Sequence, residues 1–231
     1  ERVPVLENMG FFVIDGRSYR VTPRIDGATR EVALHDMVLE PADGIPIDLP
    51  LHDRRAEECF LAVCRGDAEN DNFNRLVITA GADWREVAAL RAYATYLRQI
   101  GVPFGFRYIG ETLNRHAGVA RDFLELFHTR FDPDRRWTRE QRAEAEQRIR
   151  KRIQGALGQV ASLDEDRILR HYLSLISATV RTNFFQRDEK GRPPATIAFK
   201  FAPEFIEGLP EPKPYREIWV YSPRVEGVHL R

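Results

Sequence analysis

The chain has 231 residues, 43 % hydrophobic and 30 % charged, which is enough to bury a sizeable core in one or two domains and is ordinary for a globular protein. Thirty-five basic and 35 acidic residues give a formal net charge of zero, so there is no general electrostatic drive toward nucleic acid or an anionic membrane. No apolar run approaches the roughly 20 residues that cross a bilayer, and the opening ERVPVLENMG lacks a signal-peptide pattern, so the expected compartment is the cytoplasm.

VPVLENMG reads as the last turns of a helix closed by Gly10. FFVIDG and SYRVTP then read as a hairpin turning near Asp15-Gly16, and EVALHDMVLE as a third strand after the Gly27 loop. A helix is expected from about Arg54 to Arg65, with Gly66 as its stop. Cys59 and Cys64 fall on it at a spacing that leaves them on different faces, so both read as reduced core thiols.

From Asp71 to Phe131 the pattern is helical. Phe73, Leu76 and Val77 begin one helix that Gly81 ends. Asp83 with Glu86 caps the next, whose inward residues are Trp84, Val87, Leu90, Ala94 and Leu97. Two more helices follow, from about Gly105 to Arg115 and from Gly118 to Arg130. Thr138 with Gln141 is a second capping box, opening a charged helix whose stripe is Ala145, Ile149, Ile153, Leu157 and Val160.

The strongest helix signal is SLDEDRILRHYLSLISATVRTNFFQ, from Ser162 to Gln186. Ser162 and Glu165 form a third capping box, acids crowd the first turn, and Ile168, Tyr172, Ile176 and Val180 recur every fourth residue, which predicts a buried helix over about 163–184. It is expected to pair with the preceding helix as a long antiparallel hairpin. RDEKGRPP then reads as a polar linker, and the tail as strands around Ile197, Phe199 and Phe201, REIWVYSP and GVHLR.

The signatures for a dinucleotide, a nucleoside triphosphate, a nucleophilic serine and a zinc protease (GxGxxG, GxxxxGK, GxSxG and HExxH) are missing. His35, His52, His116, His128, His171 and His229 show no metal-ligand spacing, so no metal or catalytic residue is assigned. The Arg-rich helix over 135–152 interleaves Arg with Glu140, Glu144 and Glu146, which favours a solvated helix face over a phosphate-binding one. The candidate interdomain contacts are Arg181 and Asn183 at the tail of the long helix, with Arg224 and His229 in the last strands.

Three stretches carry a family resemblance: Ser162–Gln186 as quoted, AENDNFNRLVITAGADWREVAALRAYATYLRQIGVPF from Ala68 to Phe104, and the closing IWVYSPRVEGVHLR. They resemble an internal part of the large NAD-dependent glutamate dehydrogenases of bacteria. The resemblance implies an α+β chain: a partial ACT-type, ferredoxin-like αβ module over 1–66, a helical domain over 67–186, a linker over 187–194 and the first strands of the catalytic domain over 195–231.

It further implies a parent oxidoreductase that uses NAD to deaminate L-glutamate oxidatively to 2-oxoglutarate and ammonia. The catalytic lysine, the glycine-rich substrate loop and the NAD-binding domain would lie past Arg231. The segment itself would then be regulatory or architectural and bind no NAD, with the remainder of the same polypeptide as its partner in a homo-oligomer, and with neither nucleic acid nor membrane. The alternative reading is a stand-alone helical interaction or nucleic-acid-binding module that uses the Arg-rich helix 135–152.

Overall fold

The computed structural model describes residues 2–44, 46 and 49–230, without the side chains of 49–53, so His52 and Arg231 lie outside what is described below. The fold is α+β. Helix α1 (Val3–Asn8) leads into strand β1 (Phe11–Val21), the short strands β2 (Arg24–Ile25) and β3 (Ala28–Thr29), strand β4 (Val32–Pro41) and helix α2 (Leu49–Arg65). β1 and β4 pair antiparallel as a two-stranded ribbon.

The chain reverses at Asp26-Gly27 rather than at the expected Asp15-Gly16. Asp26 (φ 51°) and Gly27 (φ 79°) both adopt the left-handed conformation that a two-residue hairpin turn demands, flanked by the Ile25–Ala28 pair. Asp15-Gly16 stays inside β1, where a bulge between Val13 and Asp15 shifts the register against β4. Met9, 1 % exposed, anchors the base of the ribbon in the core, and Arg75 reaches Asp43 at 2.8 Å.

A 3-10 turn over Asn72–Arg75 precedes α3 (Leu76–Thr79), α4 (Trp84–Gln99), α5 (Phe106–Arg115), α6 (Ala117–Phe131), α7 (Arg139–Leu157) and α8 (Leu163–Ala178). The capping boxes at Asp83–Glu86 and Thr138–Gln141 are complete. At Ser162 only half the box forms: the hydroxyl accepts from the Glu165 N–H, while the Glu165 carboxylate turns to His116 at 2.7 Å and to Arg115. A buried carboxylate gains more from the Arg115 cation together with the His116 ring than from one backbone donor. Cys59 is buried, and its thiol is pushed up to about 11 by that burial, whereas Cys64 is exposed, contrary to the expectation of two core thiols.

α8 ends at Ala178, six residues before the expected end, and the chain passes directly into strand β5 (Thr179–Thr182). β5 pairs with β6 (Ile197–Phe201), β6 with β7 (Glu217–Ser222), and β7 with β8 (Val225–Leu230), all antiparallel. Val180 therefore leaves the helical stripe and is 46 % exposed, whereas Ile168, Tyr172 and Ile176 are fully buried. Two things stop the helix. Thr179 and Val180 are β-branched, and Arg130 donates to the carbonyls of Ile176, Ser177 (3.0 Å) and Thr179 (3.1 Å), satisfying groups that another helical turn would have used.

The most buried helix is α4 rather than α8. Buried residues run around most of its circumference, including Ala88, Ala89, Ala92 and Ala94, whose small side chains let neighbouring elements approach closely. α7 touches α8 but lies chiefly along α6, where Arg152 bonds Asp122 at 2.7 Å and also reaches Glu125. The apolar faces of β6 and β7 are covered by α4. Phe199 packs tilted at 4.6 Å from Tyr93 and Phe201 at 4.6 Å from Tyr96, and Trp219 meets Tyr96 edge-on at 5.6 Å. One continuous apolar core thus runs from α1 through the helices into the four-stranded sheet, and each fully buried aromatic in it stabilises by about 1.5–3 kcal/mol.

Candidate functional site: the seam between helix and sheet

Buried polar side chains gather where α4 meets the sheet and its flanking loop. Three buried hydrogen bonds cross the seam: Tyr96 donates to Glu217 at 2.7 Å, the Trp219 indole N–H to the Ala92 carbonyl at 3.0 Å, and Tyr93 pairs with the Thr179 hydroxyl at 2.9 Å. Burial pushes both the Tyr96 phenol and the Glu217 carboxyl upward, and the hydrogen bond offsets part of the shift on Glu217.

One turn away, fully buried Arg91 grips Asp71 with two parallel bonds, Nε at 2.8 Å and Nη2 at 2.9 Å, and Nη2 also reaches Asn74 at 2.7 Å. Burial alone would lower the pKa of Arg91, but Asp71, with Tyr221 and Glu69, outweighs it and the guanidinium is held above its ordinary range. Glu69, 3.3 Å from Arg91, is raised by burial despite that cation.

A cleft of about 1100 Å³ opens beside this network. Its walls are the end of α2 (Arg65, Gly66, Asp67), the start of α4 (Trp84, Arg85, Ala88), the irregular stretch over 186–196, and the β7–β8 turn with Tyr221, Ser222, Pro223, Arg224 and Val225. A second, smaller cavity of about 550 Å³ is lined by Glu86 and His128, which pair at 2.6 Å, together with Arg55, Arg121 and Arg135. Among the described residues there is no group of three or more His, Cys, Asp or Glu side chains placed to hold a metal ion. No helix among them is long and apolar enough to cross a membrane.

The four candidate contact residues do not converge. Arg181 is exposed on edge strand β5, opposite Lys200, and His229 is exposed on the other edge strand, opposite Ile218. Two strands separate them, roughly 14 Å at the usual strand spacing. Arg224 sits in the β7–β8 turn and lines the cleft. Asn183 works within the sheet: its amide donates to the Thr196 carbonyl at 3.1 Å and accepts from the Ala198 N–H at 2.7 Å, extending the β5–β6 ladder with a side chain.

Arg85, Arg91 and Tyr96 were missed because charged and phenolic residues on an amphipathic helix read as its solvent face, and Glu217 because a charge at the start of a strand reads as exposed. One signal was available for Arg85. A cation in the first turn of a capped helix opposes the dipole, so something other than helix stability holds it there.

Three family descriptions match successive parts of the chain. "Glutamate dehydrogenase, ACT3 domain" covers residues 1–51, "Glutamate dehydrogenase, helical motif 3" residues 68–133, and "Bacterial NAD-glutamate dehydrogenase, catalytic domain" residues 152–231. The chain is 47 % identical over 229 residues to the NAD-specific glutamate dehydrogenase of Pseudomonas aeruginosa. Along almost its whole length the chain matches an internal part of the bacterial NAD-glutamate dehydrogenases. The corresponding proteins of Halomonas elongata and Mycobacterium tuberculosis are 43 % and 39 % identical to it. Each alignment takes in 99 % of this chain but 14 % of the relative, so the chain spans about one seventh of the length of these glutamate dehydrogenases.

The glutamate dehydrogenase matches also locate the seam. α4 lies in the helical motif and β7 in the catalytic domain, whose match begins within α7 and takes in α8 as well as the sheet.

Proposed function

We propose that this chain is a non-catalytic, architectural or regulatory segment of a larger NAD-dependent glutamate dehydrogenase. The whole polypeptide oxidatively deaminates L-glutamate to 2-oxoglutarate and ammonia, binds NAD outside this segment, and works in the cytoplasm as a homo-oligomer. The segment's partner is the remainder of the same polypeptide.

The observation that carries this reading is the Tyr96–Glu217 bond with the aromatic packing around it. The strands matched to the catalytic domain are fastened to the helix matched to the helical motif by buried polar contacts, which are costly to break. A displacement of the helical region is therefore passed to the first catalytic strands rather than absorbed between them. The Arg-rich helix gives the nucleic-acid alternative little support, because Arg142, Arg150 and Arg152 bond to Thr129, Ser177 and Asp122 within the chain.

The test compares the 231-residue chain with the full polypeptide that contains it, following NADH absorbance with NAD and L-glutamate. Turnover is expected from the full polypeptide only. Turnover or micromolar NAD binding by the isolated chain would overturn the non-catalytic reading, and a full polypeptide that fails to reduce NAD with L-glutamate would overturn the activity.

A further inference from the structure

Arg85 and Arg91 lie six residues apart on α4, both buried, and they are treated differently. Arg91 presents its Nε and Nη2 edge to the Asp71 carboxylate, the side-on geometry in which a guanidinium takes an oxyanion with two parallel bonds. Arg85, 7 % exposed, uses Nη1 for the Pro194 carbonyl at 2.9 Å and stacks 5.2 Å over Phe184, while its Nε and Nη2 have no hydrogen-bond partner. A buried cation without a counter-ion is an expensive thing to keep.

Arg85 has no carboxylate within ion-pair distance among the described residues, and the near cation Arg187 adds repulsion. Burial first and Arg187 second lower its pKa to about 10, with Asp83 opposing only partly; the Asp83 carboxylate accepts the N–H groups of Arg85 and Glu86. Around the same cleft stand Arg65 and Arg224, against Asp67, while Arg192 and Asp188 neutralise each other at 2.9 Å.

We propose that the cleft between α4, the 186–196 stretch and the β7–β8 turn binds a small organic anion, a carboxylate or a phosphate ester, held side-on by Arg85 with Arg187, Arg65 and Arg224 around it. A cleft of about 1100 Å³ has room for such a molecule. Pro194 of the 186–196 stretch holds Nη1, and the Nε and Nη2 atoms beside it are closed off from solvent, so the anion enters by displacing part of that wall. Once seated it ties α2 and α4 to the sheet.

The probes are inorganic phosphate and succinate, titrated separately into the 231-residue chain in low-salt buffer by calorimetry and by thermal unfolding. At least one is expected to bind saturably, to raise the melting temperature and to slow amide exchange over 186–196. Which one binds distinguishes a phosphate ligand from a carboxylate ligand. Arg85→Met, which keeps the packing on Phe184, should weaken binding at least tenfold, the factor expected for a lost bidentate contact. The exposed-site control Arg98→Met should leave binding unchanged. If Arg85→Met does not fold, Arg187→Gln should still weaken binding several-fold. No saturable binding of either anion at roughly 10 mM, or equal binding by the wild type and both cleft variants, overturns the proposal.

Discussion

The Tyr96 hydroxyl and the Glu217 carboxylate meet at 2.7 Å with Tyr96 fully buried and Glu217 4 % exposed, joining the middle of α4 to the first residue of β7. Tyr96→Phe keeps the ring that packs on Phe201 and Trp219 but strands the carboxylate. Losing one partner of a buried pair costs about 1–3 kcal/mol, and urea unfolding of the variant is the measurement. A loss under about 0.5 kcal/mol would mean that water replaces the phenol.

Glu217 also predicts a pH dependence. Burial raises its folded-state pKa above the value of about 4.3 it has when unfolded. Its contribution to stability is therefore complete below that unfolded value and is lost as pH rises through the raised folded value. Glu217→Gln retains an acceptor for Tyr96 and removes the titration. The variant should be at least as stable as the wild type at pH 7, with its relative advantage disappearing near pH 4; denaturant midpoints at the two pH values decide it.

Ile176 and Val180 test where α8 ends. Ile176 is fully buried, and Ile176→Ala should cost about 2–5 kcal/mol through lost burial and a residual cavity. Val180→Ala, at an exposed position on β5, should stay within about 0.5 kcal/mol. Equal losses would restore Val180 to the helical stripe.

Asn183→Ala removes the side chain that accepts from Ala198 and donates to Thr196. Two part-buried backbone groups then lose their partner, and about 1–3 kcal/mol is expected. Amide exchange at Ala198 should accelerate more than at Phe199, whose partners lie in the ladder itself.

The sequence by itself determined the local events, because they depend on atoms a few residues apart. Asp83–Glu86 and Thr138–Gln141 close on themselves within one turn, Gly10 and Gly66 take left-handed angles at helix ends, and Ile197, Phe199 and Phe201 alternate as a half-buried strand must. The α+β class and the helical middle follow from these. Tertiary structure decided wherever two local solutions were equally good. Asp15-Gly16 and Asp26-Gly27 are the same dipeptide, and pairing between β1 and β4 selected which became a turn and which a bulge.

Thr179–Thr182 could continue a helix or begin a strand. The Arg130 guanidinium on the terminal carbonyls and the neighbouring β6 ladder chose the strand. The candidate site was hidden for the same reason. Whether Arg85, Arg91, Tyr96 or Glu217 faces water or core depends on what packs over α4, and that cover comes from residues more than 100 positions further along the chain for Arg85 and Tyr96. A charge reads as surface until long-range packing buries it, and only then does a missing counter-ion become visible.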